Sequence, residues 1–293
     1  MKTIVLAFHY LWARPLAAAL NLLLLTLGLA SMTFLLLVGH QLDQAFERDL
    51  AGIDVVVGAK GSPLQLILAG VFHMDVPPGN VPLKAVEALK THPQVAKVIP
   101  ISLGDSFRGF RIVGTSPDYI SHYDAKLTQG TLWTVPMQAV LGAQVAAQTH
   151  LKPGDRFAGS HGLGGSGHQH GDNPYVVSGV LAPSGSVLDR LILTATESVW
   201  QVHEAAAAED ESDKKIMQEE RELTLALIQY KTPLAAVTFP RFINSSTEMQ
   251  AAAPALEITR LLNILGVGID VMRALAGPIH DGAKLPLPSM WQR

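Results

Sequence analysis

The sequence predicts an α+β protein with one N-terminal transmembrane helix, a mixed α+β domain outside the membrane with room for two lobes, and a C-terminal amphipathic stalk helix. Three observations carry this. Leu16–Val38 is a run of 23 residues without a charge. Residues 40–247 interleave strand-like and helix-like segments in no regular βαβα rhythm. From Glu248 to Ala276, apolar residues recur at near-helical spacing with charges between them.

Composition narrows the function. The chain has 293 residues, 48% hydrophobic and 16% charged, against roughly 25% charged in an average soluble domain. With 22 Lys+Arg against 25 Asp+Glu, the net charge is −3. A nucleic-acid reader needs a clustered basic excess, so nucleic acid is not expected as a partner. With no cysteine, the chain has no disulfide framework, thiolate zinc site or catalytic thiol.

The apolar run comes first. As a helix it spans about 34 Å, enough for a bilayer core of about 30 Å. A buried core helix of this length would show a polar face. A cleaved signal peptide has a shorter apolar region, about 7–15 residues. The run therefore reads as an uncleaved signal anchor. Lys2 and Arg14 precede it, and no acidic residue occurs before Asp43. The positive-inside rule places the N-terminus in the cytoplasm and the main domain outside. Met1–Trp12 reads as an interfacial helix broken at Pro15.

The middle follows in order. Ile53–Gly58 reads as a buried strand and Leu64–His73 as a short helix. Pro77-Pro78-Gly79 makes a turn. In Leu83–Thr91 the apolar Leu83, Val86 and Leu89 share one helical face, with Lys84, Glu87 and Lys90 opposite. Val95–Ile101 and Arg108–Gly114 read as strands with a turn or bulge over Leu103–Phe107. Gln138–Leu151 reads as a helix ending at the turn Lys152-Pro153-Gly154-Asp155, before a strand at Arg156–Ala158. Tyr175–Leu181, Leu191–Thr194 and Leu223–Tyr230 are further strands. Thr196–Glu222 reads as one long polar helix. Tyr119 and Tyr123, near His122, are candidates to line a site.

No catalytic motif is visible. Gly58-Ala59-Lys60-Gly61-Ser62 lacks the spacing of a phosphate-binding loop. His203-Glu204 is followed by alanines, and Gly164-Gly165-Ser166-Gly167 ends on His168. No catalytic or cofactor-binding residue is assigned, and no enzymatic activity is expected. One segment has metal chemistry. Gly159–Asp172 reads GSHGLGGSGHQHGD. His161, His168 and His170 offer imidazoles suited to zinc, copper or nickel, and Asp172 adds a carboxylate. A glycine loop gives such ligands no firm support, so the chemistry it allows is weak zinc contact. A surface insertion with incidental histidines is the plainer reading.

In the last part, Leu261, Leu262, Leu265, Ile269 and Met272 line one face, while Glu257, Arg260, Asp270 and Arg273 make a span unfavourable. A stalk helix fits, paired with the helical extension Gln41–Leu50. The boundaries read as 1–14 cytoplasmic interfacial segment, 15–39 transmembrane helix, 40–247 core domain, 248–276 stalk and 277–293 disordered tail.

Several stretches carry a resemblance: VVVGAKGSPLQLIL at 55–68, LKAVEALKTHPQVAKVIPISLGD at 83–105, FRIVGTSPDY at 110–119, AVLGAQVAAQTHLKPGDRF at 139–157 and YVVSGVLAPSGSVLDRLIL at 175–193. Together with the single span, they resemble the MacB/FtsX-type (type VII) ABC transporter permeases. The resemblance implies a dimeric permease subunit, homodimeric or heterodimeric, in a bacterial inner membrane. It implies a separate cytoplasmic ATPase that binds the ATP, and coupling by transport or mechanotransmission. Family members continue through three more spans. No second uncharged run follows Val38, so a truncated or split permease is expected. The alternative is a single-pass anchored binding module, metal-related, without an ATPase.

Overall fold

The computed structural model describes residues 13–161, 174–207 and 216–261. The predicted interfacial segment falls almost wholly on residues outside these, as do most of the stalk and the whole C-terminal tail. Contacts divide the chain into Met1–Asp49 and Leu50–Arg293.

In the first unit, helix α1 (Pro15–Leu50) is continuous over 36 residues. It is the one described helix long and apolar enough to cross a membrane. Its leucines face outward on every side, from Leu16 at 86% exposure to Leu37 at 53%. A helix apolar all round requires apolar surroundings, which here a bilayer would supply.

The second unit is built on a mixed sheet. Its strands are β1 (Val55–Ala59), β3 (Val95–Phe107), β4 (Phe110–Thr115), β5 (Leu127–Gly130), β6 (Gln138–Leu141), β7 (Arg156–Phe157), β8 (Ser160–His161), β9 (Tyr175–Leu181), β10 (Leu191–Ala195), β12 (Leu225–Tyr230) and β13 (Met249–Ala252). The order is β13-β1-β12-β3-β4-β10-β6-β9-β5, with β7 on β9 and β8 on β3. A small ribbon pairs β2 (Val81–Pro82) with β11 (Glu222–Leu223). Pairing is antiparallel except for β4 with β10 and β6 with β9. The predicted α+β class holds.

Helices cover the sheet. They are α2 (Pro63–Gly70), α3 (Leu83–Lys90), α4 (Asp118–His122), α5 (Ala143–Thr149), α6 (Thr196–Ala207) and α7 (Ala235–Ser246). Ser62 caps α2 by accepting from the Gln65 N–H at 3.4 Å, and Pro63 starts its first turn. Two cores form on the sheet. One gathers Val55, Val57, Val86, Leu89, Phe239 and Ile243. The other gathers Ile112, Leu141, Val145, Phe157, Val177 and Ile192. Burial of such side chains, each worth about 1.5–3 kcal/mol, is the main term holding the unit together.

The structure corrects several boundaries. The helix predicted over Gln138–Leu151 is strand β6 followed by the short α5. Ala139, Val140 and Leu141 are wholly buried between β10 and β9, where strand pairing satisfies their backbone. Gly142 then starts α5 in a spot without room for a side chain. A Cβ there would collide with the Leu188 and Asp189 carbonyl oxygens.

The turn predicted over Leu103–Phe107 is strand, carrying a register shift between Leu103 and Ser106. The chain reverses instead at Arg108-Gly109, where φ is 51° and 84°. Two positive φ values flanked by the Phe107–Phe110 pair make a tight two-residue hairpin.

Of the long helix predicted over Thr196–Glu222, α6 and residues 216–219 are helical, and 208–215 lie outside the described residues. Glu222–Leu223 is strand, because buried Leu223 pairs with Val81. The stalk predicted from Glu248 opens as strand β13, which completes the sheet beside β1. Helix is described there only over 254–261. The outer edge of β13 is capped by Asn244. Its amide oxygen accepts from the Ala251 N–H at 2.8 Å, and its nitrogen donates to the Ala251 carbonyl at 3.3 Å. This protects the sheet edge from pairing with another chain.

Candidate functional site

The predicted metal ligands are only partly within the described residues. His161 lies on β8, with its backbone paired to Asp105 of β3. His168, His170 and Asp172 lie outside the described residues. Among those described, no three His, Cys, Asp or Glu come together as a metal site.

Tyr119, Tyr123 and His122 do cluster, but as packing. The Tyr119 and Tyr123 rings meet edge-on at 5.5 Å. Tyr119 is fully buried, and its hydroxyl lies 2.9 Å from Nε2 of His73. His73 sits at φ 53°. Burial first, then repulsion from Arg111 and Arg190, lowers its pKa from 6.5 to about 3. The imidazole is therefore neutral near pH 7 and serves as a polar strut.

The arrangement best suited to hold a ligand lies elsewhere. A cleft of about 730 Å³ opens between α6 and residues 217–222. Its floor is the irregular part of β3, Ser102-Leu103-Gly104. Gly104 leaves room for the His203 ring: a Cβ there would stand 2.8 Å from Nε2 of His203 on α6 and push the imidazole aside. Thr224 fixes the floor by accepting from the Leu103 N–H at 2.9 Å.

The wall is a stack of charge on aromatic. Arg221 lies over the Trp200 ring at 4.7 Å. It donates to both carboxylate oxygens of Glu204, at 2.8 and 3.2 Å. Trp200 Nε1–H donates to the Glu222 carbonyl at 2.7 Å. A two-pronged pair of this kind is oriented more firmly than a lysine pair would be. Trp200 and Arg221 also line a second cleft of about 440 Å³, where Trp133, Val86 and Pro100 supply the other side. The stack is thus the partition between two cavities.

These residues carried no signal in the sequence. Trp200 and Glu204 stand one helical turn apart, but nothing local joins them to Arg221. The pair is made by the β11–β2 ribbon, which returns the chain to α6.

Comparison with known proteins supplies the family. Residues 18–227 match the family model of the MacB-like periplasmic core domain. The chain belongs to that family. The MacB-like domain is similar to the periplasmic region of MacB from Actinobacillus actinomycetemcomitans. Identity is 12%, over 74% of this chain and 96% of that one, with a TM-score of 0.47. It is also similar to the extracellular domain of the noncanonic ABC-type transporter YknZ from Gram-positive bacteria. There identity is 12%, over 67% of this chain and 98% of that one, with a TM-score of 0.42. The assignment rests on the family match rather than on these superpositions. No curated protein matches the sequence.

Proposed function

We propose that this chain is a permease subunit of an ABC transporter. In this reading it couples a separate cytoplasmic ATPase to its MacB-like domain, by transport or by mechanotransmission. The observation that carries the reading is the family match over residues 18–227. It takes in both the apolar part of α1 and most of the domain. The chain itself performs no chemistry: ATP belongs to the partner. A homodimer or a heterodimer of permeases sits in a bacterial inner membrane, with the N-terminus cytoplasmic. Zinc at His161, His168, His170 and Asp172 stays a separate proposal. Calorimetric titration of the full chain against a His168→Ala/His170→Ala variant checks it.

The coupling is tested by co-purifying the full chain with the ABC ATPase of its own gene neighbourhood in lipid nanodiscs. The expected result is a stable complex whose ATP hydrolysis exceeds that of the ATPase alone. Failure to retain the ATPase, with the chain folded and inserted, overturns the reading. It would leave the anchored binding module in its place.

A further inference from the structure

The cleft beside Trp200 has no part in the coupling reading, and its lining has a definite chemistry. We propose that it binds a small amphiphilic cation, a protonated amine carried on an apolar body.

Its size suits a small molecule: about 730 Å³ lies within the range of ligand pockets, roughly 300–1,000 Å³. Leu103, Val199 and Met217 line it and give an apolar body a surface from which to displace water. Among the described residues of the lining, acidic side chains outnumber basic ones: Glu204, Glu219, Glu220 and Glu222 against Arg221, with His203 as a further titratable group. Arg221 is already engaged by Glu204 and by the Trp200 ring. Glu219, Glu220 and Glu222 are exposed at the mouth. Among the described residues of the lining only Arg221 is basic, so the charge at the mouth attracts a cation and repels an anion of the same shape.

A second observation comes from the floor. Ser102 is 2% exposed, and its hydroxyl has no hydrogen-bond partner. A buried hydroxyl left unpaired in a cleft floor costs about 1–3 kcal/mol, which a polar ligand group can recover. A hydroxyl at the bottom, apolar side chains between and carboxylates at the mouth together describe the ligand.

The test uses the full chain in nanodiscs of neutral phosphatidylcholine, with empty nanodiscs as the blank. Phenylbutylamine, phenylbutanol and phenylbutyrate have similar bodies and differ in charge. Their affinities are measured by calorimetry and saturation-transfer NMR. The amine is expected to bind at least about tenfold tighter than the carboxylate, with an advantage that shrinks as salt is raised. The combined Glu219→Gln/Glu220→Gln/Glu222→Gln variant should erase that advantage. These side chains are exposed, so the fold should stay intact, and a thermal melt verifies this. Ser102→Ala should weaken the amine severalfold. Equal binding of all three probes overturns the proposal, as does a charge preference that survives the triple variant. So does the absence of binding at about 1 mM.

Discussion

At the scale of single residues, His73 shows how burial sets chemistry. The ring is enclosed, bonded to Tyr119 and repelled by two arginines, so its pKa falls to about 3. The unfolded chain binds a proton near pH 6.5 that the folded chain refuses. Between pH 6.5 and about 3 the unfolded state therefore holds more protons, and stability drops as pH falls. The slope approaches about 1.4 kcal/mol per pH unit for this one group. His73→Asn removes the titration while tolerating the left-handed backbone. Denaturant melts at pH 7, 6, 5 and 4 should show a shallower acid loss in the variant by roughly that slope. An unchanged slope would mean that other groups govern the acid limit. Nothing in the string VFHMD at 71–75 marks His73 as buried. The histidine's role depends on α4 bringing Tyr119 across 46 positions of sequence.

At the scale of elements, the most informative differences lie where a local pattern fits two structures. Gln138–Thr149 contains alanines, glutamines and a leucine that suit a helix by propensity. The sheet takes the first four residues as β6 because β9 and β10 bury them on both sides. Periodicity cannot separate a short buried strand from a helix turn when both are apolar. Gly142 is the switch between the two elements. Gly142→Ala should destabilise the domain by about 3 kcal/mol, read from the denaturant midpoint, since the new methyl meets backbone and not a flexible side chain. A loss below about 0.5 kcal/mol would show that the loop 182–190 can yield. That loop is held by Asp189, which accepts from Ser184 and Gly185 backbone N–H groups at 2.8–3.2 Å. The same ambiguity explains β13, where the apolar residues after Met249 join a sheet edge before any helix begins.

At the scale of the molecule, the chain is an apolar helix followed by a MacB-like domain, and its orientation is open to a direct test. The chain has no cysteine, so single introduced cysteines give a clean readout. In intact cells, Lys231→Cys should react with a membrane-impermeant maleimide supplied outside, and Lys2→Cys should react only after lysis. The reverse pattern would invert the topology. The sequence by itself determined the apolar helix, the α+β class and the family. Each of these rests on local information: uninterrupted hydrophobicity over one span, short segments of changing period, and ordered motifs. The tertiary structure decided the sheet order, the burial of His73 and the cleft walled by Trp200 and Arg221. These depend on pairs of residues far apart in the chain, brought together by strand pairing. Composition and spacing carry no trace of such pairs, because only the free energy of the whole packed sheet selects them.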